Sequence, residues 1–482
     1  MLAESPYLVF AGLAGLLYFG SLAVNAPVLA WLVIALQPAA LIVPFFPGRP
    51  FWWELCALLA WPSLLAHFLV NRKKLEVLQF DRLERRALLA LVGYVGVLVV
   101  LMLYRGVGFR AFGGEQMGGR FYVQQVVLSI LPVLMASTMV SRRQLVTAVC
   151  AGWILSATYM VSDFSFIYGG ATQKILYFFE VPTDAINFQI GFEATGVRRF
   201  QSLWCVGVAL LSALLAWMPL RDIFGRRIWI GLPIGLGAVA LALVSGHRTA
   251  FIQAVITVGL LSLFQKFWTP LRVLSVMFLI AIGGVTLYVY ADHFPLPIQR
   301  SISFLPGIKI DPLARDNAVD TLNDRVEVLK LAINDIPKYW LIGRGFGMDR
   351  FDVLPSDSYV SGVWQMYVNG YFYNGLIGSL LKLGVVGFVC TGFFIICISR
   401  MAFLIVGRIR EISQWSVFER IGLLLCAQWF SLVIWFYGLT GDVNTWTQYF
   451  ILHASLITVF YRSLVTDSPK PSTEDVSINS LS

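Results

Sequence analysis

Arg248 and Arg325 are two arginines whose positions need a chemical explanation. Arg248 follows Ser245-Gly246-His247 in a short turn between two apolar runs. Arg325 follows Thr321-Leu-Asn-Asp324, a pattern that predicts a capped helix start. A cation in the first turn of a helix opposes the helix dipole. Guanidinium groups bind anionic oxygens through paired hydrogen bonds, so both residues are candidates for a site that binds an anion.

Structural explanations for the same two residues stay open. Arg248 would serve equally as an interfacial arginine whose apolar stem lies along the membrane while its charge reaches water. Arg325 would serve as a pairing partner for Asp324 and Glu327. The nearby Gly343-Arg-Gly-Phe-Gly347 run predicts a tight turn rather than a phosphate cradle, because no strand precedes it and no Lys-Ser/Thr pair follows.

The elements that must position these residues are membrane spans. Hydrophobic residues make up 58% of the 482 residues and charged residues only 13%, and the mean hydropathy is +0.75. A soluble globular domain does not have this composition. The net charge of +9 comes from basic residues in short connections between apolar runs, where they set membrane orientation rather than bind nucleic acid.

Apolar runs of the length that a bilayer requires recur along the chain. They lie at 7–23, 27–46, 51–70, 86–104, 121–140, 144–162, 200–218, 227–244, 249–265, 271–290, 375–399, 420–438 and 445–462. The first two are short, and one span plus a re-entrant piece is the alternative. The sequence therefore predicts an all-α, polytopic integral membrane protein with about 12–13 transmembrane helices and no cleaved signal peptide.

The basic connections predict which ends face the cytoplasm. The residues used are Arg72, Lys73, Lys74, Arg82, Arg85, Arg86, Arg142, Arg143, Arg221, Arg226, Arg227, Lys266, Arg272, Arg408 and Arg410. They divide the chain into an N-terminal transmembrane region (1–290, about 10 spans), a large periplasmic loop (291–374), a C-terminal transmembrane region (375–462, 3 spans) and a disordered cytoplasmic tail (463–482). The loop holds eight Lys/Arg and ten Asp/Glu, as suits a translocated segment.

An amphipathic helix of about four turns is predicted inside the loop. Its apolar positions are Leu322, Val326, Leu329, Ile333 and Ile336, and it would end near Pro337. The segment 163–199, also predicted to lie on the periplasmic side, carries several aromatic residues. They are Phe164, Phe166, Tyr168, Tyr177, Phe178 and Phe179, and they suit an aromatic belt or sugar stacking. The six cysteines lie in apolar runs, and no metal-ligand cluster, nucleotide motif or cofactor motif is present.

Four segments in order resemble the O-antigen ligase and polymerase superfamily of bacterial envelope enzymes. They are Ser245-Gly-His-Arg-Thr-Ala250, Asn323-Asp-Arg-Val-Glu-Val-Leu-Lys-Leu-Ala332, Trp340-Leu-Ile-Gly-Arg-Gly-Phe-Gly347 and Tyr373-Asn-Gly-Leu-Ile-Gly-Ser-Leu-Leu-Lys-Leu-Gly-Val-Val-Gly387. The resemblance covers roughly residues 230–400. It implies a metal-independent glycosyltransferase that moves a glycan from an undecaprenyl-diphosphate carrier to an acceptor, either lipid A-core or a growing polysaccharide, at the outer face of the bacterial inner membrane.

The resemblance also implies roles for five residues. Arg248 and Arg325 would bind the carrier diphosphate. Tyr373 and Asn374 match the family's His-Asn pair, but tyrosine stands where the family has its catalytic histidine. A phenol with a pKa of about 10 is a poor base at neutral pH. Tyr373 would then orient or stack on a sugar, and His247 is the nearest alternative base.

The tyrosine favours a polysaccharide polymerase or exopolysaccharide-type enzyme slightly over a lipopolysaccharide ligase. Two hypotheses from other classes remain. A transporter or flippase of lipid-linked oligosaccharide would show repeat symmetry and mid-membrane ionisable groups, which the sequence does not support. An inactive scaffold of an envelope polysaccharide complex is compatible with the loss of the histidine.

The predicted topology is testable with fusions to alkaline phosphatase, which is active only after export. A fusion at Asp316 should be active because the loop is translocated, and a fusion after Ser468 should be inactive. The measurement is phosphatase activity normalised to fusion protein level. The reverse pattern would place the loop in the cytoplasm and remove the basis for a periplasmic site.

Overall fold

The fold is α-helical throughout the part of the chain that the computed structural model describes. Those residues are 15, 26–44, 49–70, 80–107, 118–137, 141–180, 200–347, 362–441, 443 and 446–466. Extended pairing among them is limited to two isolated antiparallel bridges, Leu41 with Phe179 and Ile42 with Phe51. The predicted all-α class is confirmed. The predicted span 7–23, apart from residue 15, lies outside the described residues. So do residues 467–482 of the predicted tail 463–482, whereas residues 463–466 belong to the helical turn Arg462–Thr466.

The helices are numbered in chain order. The first group is α1 (Ala26–Leu36), α2 (Trp52–Val70), α3 (Arg82–Arg105), α4 (Gly119–Leu128), α5 (Leu131–Ser137), α6 (Arg142–Leu155), α7 (Thr158–Tyr168), α8 (Gly170–Ile175), α9 (Gln201–Trp217) and α10 (Leu220–Ile223). The second group is α11 (Ile228–Val244), α12 (Arg248–Phe264), α13 (Pro270–Val289), α14 (Leu296–Ile302), α15 (Pro312–Tyr339), α16 (Gly362–Val368), α17 (Gly375–Glu411), α18 (Val417–Ile434) and α19 (Leu452–Tyr461). π-helical turns flank α19 at Trp446–Ile451 and Arg462–Thr466.

Several helices are long and apolar enough to cross a membrane. Within the described residues these are Arg82–Arg105, Arg142–Ser165, Pro270–Val289, Gly375–Glu411 and Val417–Leu439, and six shorter apolar helices of 10–17 residues accompany them. Their positions match the predicted runs from 51–70 onward. The predicted run 27–46 differs, because α1 ends at Leu36 and Pro38 cannot continue it. The chain is thus a polytopic membrane protein.

The start of α3 is fastened to the end of α19. Asp81 caps α3, and Glu84 completes the capping box by accepting from the Asp81 backbone N–H. The same two carboxylates also meet the C-terminal helix: the Tyr461 hydroxyl donates to Asp81 at 2.5 Å and Arg462 donates to Glu84 at 2.6 Å. The Glu84 side chain is only 2% exposed, so this buried ion pair joins α3 to the end of α19 at the predicted cytoplasmic end of the bundle.

The N-cap of the loop helix α15 lies ten residues before the predicted cap, at Asp311 rather than Thr321. Asp311 accepts a hydrogen bond from the Leu313 N–H and Pro312 occupies the first helical position, a strong start signal. Thr321 is therefore not a cap. It lies inside the helix and its hydroxyl donates to the Asn317 carbonyl oxygen at 2.7 Å. Arg325 is consequently in the middle of a 28-residue helix, and the dipole argument for it was wrong.

The apolar face predicted for this helix is also only partly correct. The buried positions of α15 are Ala314, Ala318, Val328 and Ala332. Leu322, Val326 and Ile333 are instead exposed, whereas Ile336 packs against the small cluster formed with α16 and α17. Small alanines face the protein because α15 lies close against its neighbours, and hydrophobicity alone did not identify that face.

The glycine run 343–347 docks onto a kink in α17. Gly384 interrupts that helix with φ 69° and ψ 179°. The backbone N–H groups of Arg344 and Gly345 donate to the carbonyls of Leu381 and Lys382 at 2.8 and 2.9 Å, and Val385 donates to the Trp340 carbonyl at 2.7 Å. The run is therefore a structural turn, as predicted, and it replaces hydrogen bonds that the kink removes from α17.

Replacing Gly384 tests the importance of this kink. Gly384→Ala should destabilise the protein, because a left-handed backbone costs an L-residue about 1–2 kcal/mol and the new Cβ would also clash with the Leu341 carbonyl oxygen. Gly392→Ala is the matched control in the same helix, since its Cβ would meet nothing within 4 Å. Size-exclusion profiles after heating should show loss of monodisperse protein for Gly384→Ala only. Equal behaviour of the two variants would contradict the role of the kink.

Candidate functional site

The Ser245–Arg248 turn links α11 to α12. The buried Ser245 hydroxyl donates to the Ala242 carbonyl at 2.6 Å and accepts from the His247 N–H at 3.2 Å. Gly246 has a φ of 74°, which favours glycine. Arg248 is the first residue of α12, so its cation opposes the dipole of that helix. Helix stability therefore does not explain Arg248, whereas a bound anion would suit both the guanidinium and the helix N-terminus.

His247 is held in a defined orientation. Its Nδ1 lies 3.1 Å from the Ser245 carbonyl oxygen. A carbonyl can only accept, so Nδ1 carries a proton, and in the corresponding neutral tautomer Nε2 carries the lone pair. The ring also stacks on Trp204, with centroids 5.5 Å apart and an interplanar angle of 28°. This tautomer is the one in which Nε2 could take a proton from a substrate.

Arg325 and Tyr373 come together although 48 positions separate them in the chain. The guanidinium carbon of Arg325 lies 4.7 Å from the centroid of the Tyr373 ring, a cation–π distance. Tyr371 stacks on Tyr373 with centroids 6.2 Å apart. The Tyr373 hydroxyl makes a weak contact with Met366 Sδ at 3.6 Å. Two of these three contacts are made by the aromatic ring of Tyr373.

Asn374 caps the long helix α17. Its side-chain oxygen accepts from the backbone N–H groups of Leu376 and Ile377, both at 3.1 Å. Tyr373, just before the cap, has a φ of 51°, an uncommon conformation for a residue other than glycine. The predicted catalytic pair is therefore a strained residue followed by a helix cap. Asn374 fixes the point, just after Tyr373, at which the chain enters α17.

Arg300 connects the turn to the loop helix and was missed by sequence reasoning. Its side chain donates to the Gly246 carbonyl at 2.8 Å, to Asn317 Oδ1 at 2.5 Å and to Thr321 Oγ1 at 3.3 Å. The residue is 4% exposed. No local pattern marks it, because it is one of eight basic residues in the loop and its acceptors are distant in the sequence.

Lys382 is a second basic residue that the sequence reading passed over. It is 1% exposed and its Nζ lies 5.0 Å from the Phe346 centroid and 5.5 Å from the Phe372 centroid. A lysine inside the apolar run 375–399 was a usable signal, since charged residues in spans are rare and generally have a function. It lies between the glycine turn and the segment that leads to Tyr373.

Carboxylates on α15 have shifted pKa values. Burial raises the pKa of Asp324 above its ordinary value, and the negative charges of Asp320 and Glu327 raise it further. Burial also raises the pKa of Asp335, but hydrogen bonds from Lys338 and Tyr367 outweigh that effect and leave its pKa below the ordinary value. Asp335 therefore stays ionised at neutral pH and joins α15 to α16, which carries Tyr367.

Residues 234–392 match a family model described as O-antigen ligase. The match covers about a third of the chain and contains all five candidate residues. No curated protein matches the chain. The matched region confirms the resemblance to the O-antigen ligase and polymerase superfamily. It implies an O-antigen ligase-like glycosyltransferase in a membrane, with a lipid-linked glycan and a polysaccharide acceptor as substrates. Among the described residues, no group of three His, Cys, Asp or Glu side chains is placed to hold a metal ion.

Two substitutions of Tyr373 separate its ring from its hydroxyl. Tyr373→Phe should keep most activity, because the ring face contacts Arg325. Tyr373→Ala should lower activity roughly tenfold, since a cation–π contact contributes about 0.5–2 kcal/mol. The measurement is the envelope glycan gel profile of a deletion strain that expresses each variant at equal level. An inactive Tyr373→Phe protein would show that the hydroxyl is the essential group.

Proposed function

We propose that the protein is a glycosyltransferase that moves a glycan from undecaprenyl diphosphate to an acceptor at the periplasmic face of the inner membrane. The observation that carries the proposal is the convergence of three separate segments. The Ser245–Arg248 turn, the loop helix α15 and the start of α17 are joined through Arg300 and through the contact of Arg325 with Tyr373. This linkage supports a site to which all three segments contribute.

The two arginines suit the leaving group of this reaction. An acceptor hydroxyl oxygen attacks the anomeric carbon of the donor sugar, and the bond from that carbon to the diphosphate oxygen breaks. The diphosphate takes the electron pair and gains negative charge. Guanidinium groups bind such oxygens through forked hydrogen bonds. Arg248 and Arg325 would supply the charge stabilisation for which other enzymes use a divalent metal ion, so the proposed reaction is metal-independent.

The acceptor hydroxyl must also lose a proton. Tyr373 is poorly suited to take it, because a phenol is ordinarily a weak base at neutral pH and its ring faces Arg325. His247 has the appropriate tautomer and lies in the same turn that presents Arg248. We therefore assign proton removal to His247 and orientation of Arg325 to Tyr373. Asn374 contributes by capping α17 and thereby fixing Tyr373.

The nature of the acceptor follows from glycan profiles of a deletion strain. Loss of ligated long chains from lipopolysaccharide would identify a ligase. Shorter chains on lipopolysaccharide, capsule or exopolysaccharide would identify a polymerase, which the tyrosine at position 373 favours. Carrier-linked glycan confined to the inner leaflet would identify a flippase instead. An unchanged profile with altered complex assembly would identify a scaffold.

The diphosphate assignment predicts that charge alone is insufficient at the two arginines. Arg248→Lys and Arg325→Lys should each lower activity by two to three orders of magnitude, because losing one such donor costs about 3–4 kcal/mol of transition-state stabilisation. The assay is complementation of the deletion strain at matched expression.

Arg315→Lys is the matched control for these variants. Arg315 lies on α15 as well, is exposed, and donates to the Ile308 carbonyl at 2.9 Å. It should complement fully. Full complementation by both site variants would reduce Arg248 and Arg325 to interfacial anchors and remove the support for a diphosphate donor.

A further inference from the structure

Arg300 is the residue through which the two proposed diphosphate ligands are fixed relative to each other. It lies in the short helix α14, between the turn that presents Arg248 and the helix that presents Arg325. Its guanidinium uses Nη1 for the Gly246 carbonyl, Nε for Asn317 and Nη2 for Thr321. Gly246 is two residues before Arg248. One side chain thus holds both site segments at once.

The stripe that Arg300 contacts on α15 leads directly to Arg325. Asn317, Thr321 and Arg325 are spaced four residues apart, so they lie along one face of the helix. Thr321 and Arg325 are separated by about 6 Å along the helix axis. Because Arg300 hydrogen-bonds to Asn317 and Thr321 on two successive turns, it sets both the rotation of α15 about its axis and its position along that axis. Arg325 lies on the next turn of the same face, so its position depends on how α15 is held.

The burial of Arg300 explains why its guanidinium needs all three hydrogen bonds. A buried guanidinium is costly unless its donors are satisfied. The acceptors of Arg300 come from two different elements, and the planar fork matches their separation in a way that a lysine ammonium cannot. If these hydrogen bonds are lost, the Ser245–Arg248 turn and α15 are no longer fixed relative to each other. Misplacement of a binding group by about 1 Å can cost about a hundredfold in rate.

We infer that Arg300 is a positioning residue that sets the spacing between Arg248 and Arg325 without touching the substrate. The inference rests on the proposed function, because the two arginines matter as a pair only if they share one diphosphate. It adds a third arginine to the site whose role is to arrange the other two.

The binding test uses the full-length protein in nanodiscs with farnesyl diphosphate as the probe and farnesol as the probe without charge. Arg300→Lys and Arg300→Gln should raise the Kd for farnesyl diphosphate at least tenfold and leave farnesol binding unchanged. Asn317→Asp, which keeps an acceptor for Nε, should retain wild-type affinity, whereas Asn317→Leu should not. Arg315→Gln is the matched control and should stay within twofold of wild type.

A double-mutant cycle separates positioning from general stability. In an Arg325→Ala background, Arg300→Gln should change the Kd less than twofold, because the spacing between two ligands no longer matters once one ligand is absent. Additive losses in the cycle, or a wild-type Kd in Arg300→Gln, would overturn the inference. Should Arg300→Gln fail to fold, Thr321→Val removes one of the three bonds and should show the same non-additivity with Arg325→Ala.

Hydrogen exchange gives a readout that does not depend on the ligand. Amides 245–248 should exchange at least tenfold faster in Arg300→Gln than in wild type, and exchange at the distant start of α3 should be unchanged. Unchanged exchange at 245–248 would overturn the inference. If wild-type protein does not bind farnesyl diphosphate, the proposed function fails, and hydrogen exchange alone then decides whether Arg300 positions the turn.

Discussion

The site depends on a break in the hydrogen bonding of one membrane helix. Backbone groups inside a membrane must be satisfied within the protein, yet α17 is interrupted at Gly384. The glycine turn supplies the missing bonds by donating to Leu381 and Lys382. Gly343 can make this approach only because it lacks a side chain, since a Cβ would clash with the Lys382 carbonyl. A loop outside the span is thereby locked to the span itself.

The docking of the glycine turn onto α17 also positions the end of α15 and the segment that leads into α17. The glycine turn follows α15 directly, so fixing the turn also fixes the end of the helix that carries Arg325. The first turn of α17 begins at the Asn374 cap, and Tyr373 just before it has a left-handed backbone conformation. Lys382 lies between Phe346 of the turn and Phe372 of the segment before the cap. Two elements that are far apart in the chain therefore reach the site with one common support.

The sequence predicted the spans well because a bilayer imposes one simple requirement, a long apolar run. It failed on α15, where two start signals competed. Asp311-Pro312 and Thr321 are both plausible starts by local chemistry, and only the packing of Ala314 and Ala318 against the rest of the protein favours the earlier one. The candidate arginines were found through spacing along the chain. Arg300 was not found, because its contact with Gly246 joins positions that are 54 residues apart and produces no recognisable sequence pattern.

The tyrosine at position 373 shows why a lost histidine need not mean a lost site. A residue with positive φ is strained, and here the ring stacks on Tyr371 and lies against Arg325, contacts that an aromatic side chain can make whether or not it accepts protons. The geometry around Arg325 is thus maintained by shape and by the ring quadrupole. Proton removal is a separate task, which we propose for His247 in another segment, where Nδ1 lies against the Ser245 carbonyl. Orientation and proton removal, which one histidine could combine, are divided between two residues in the reaction we propose.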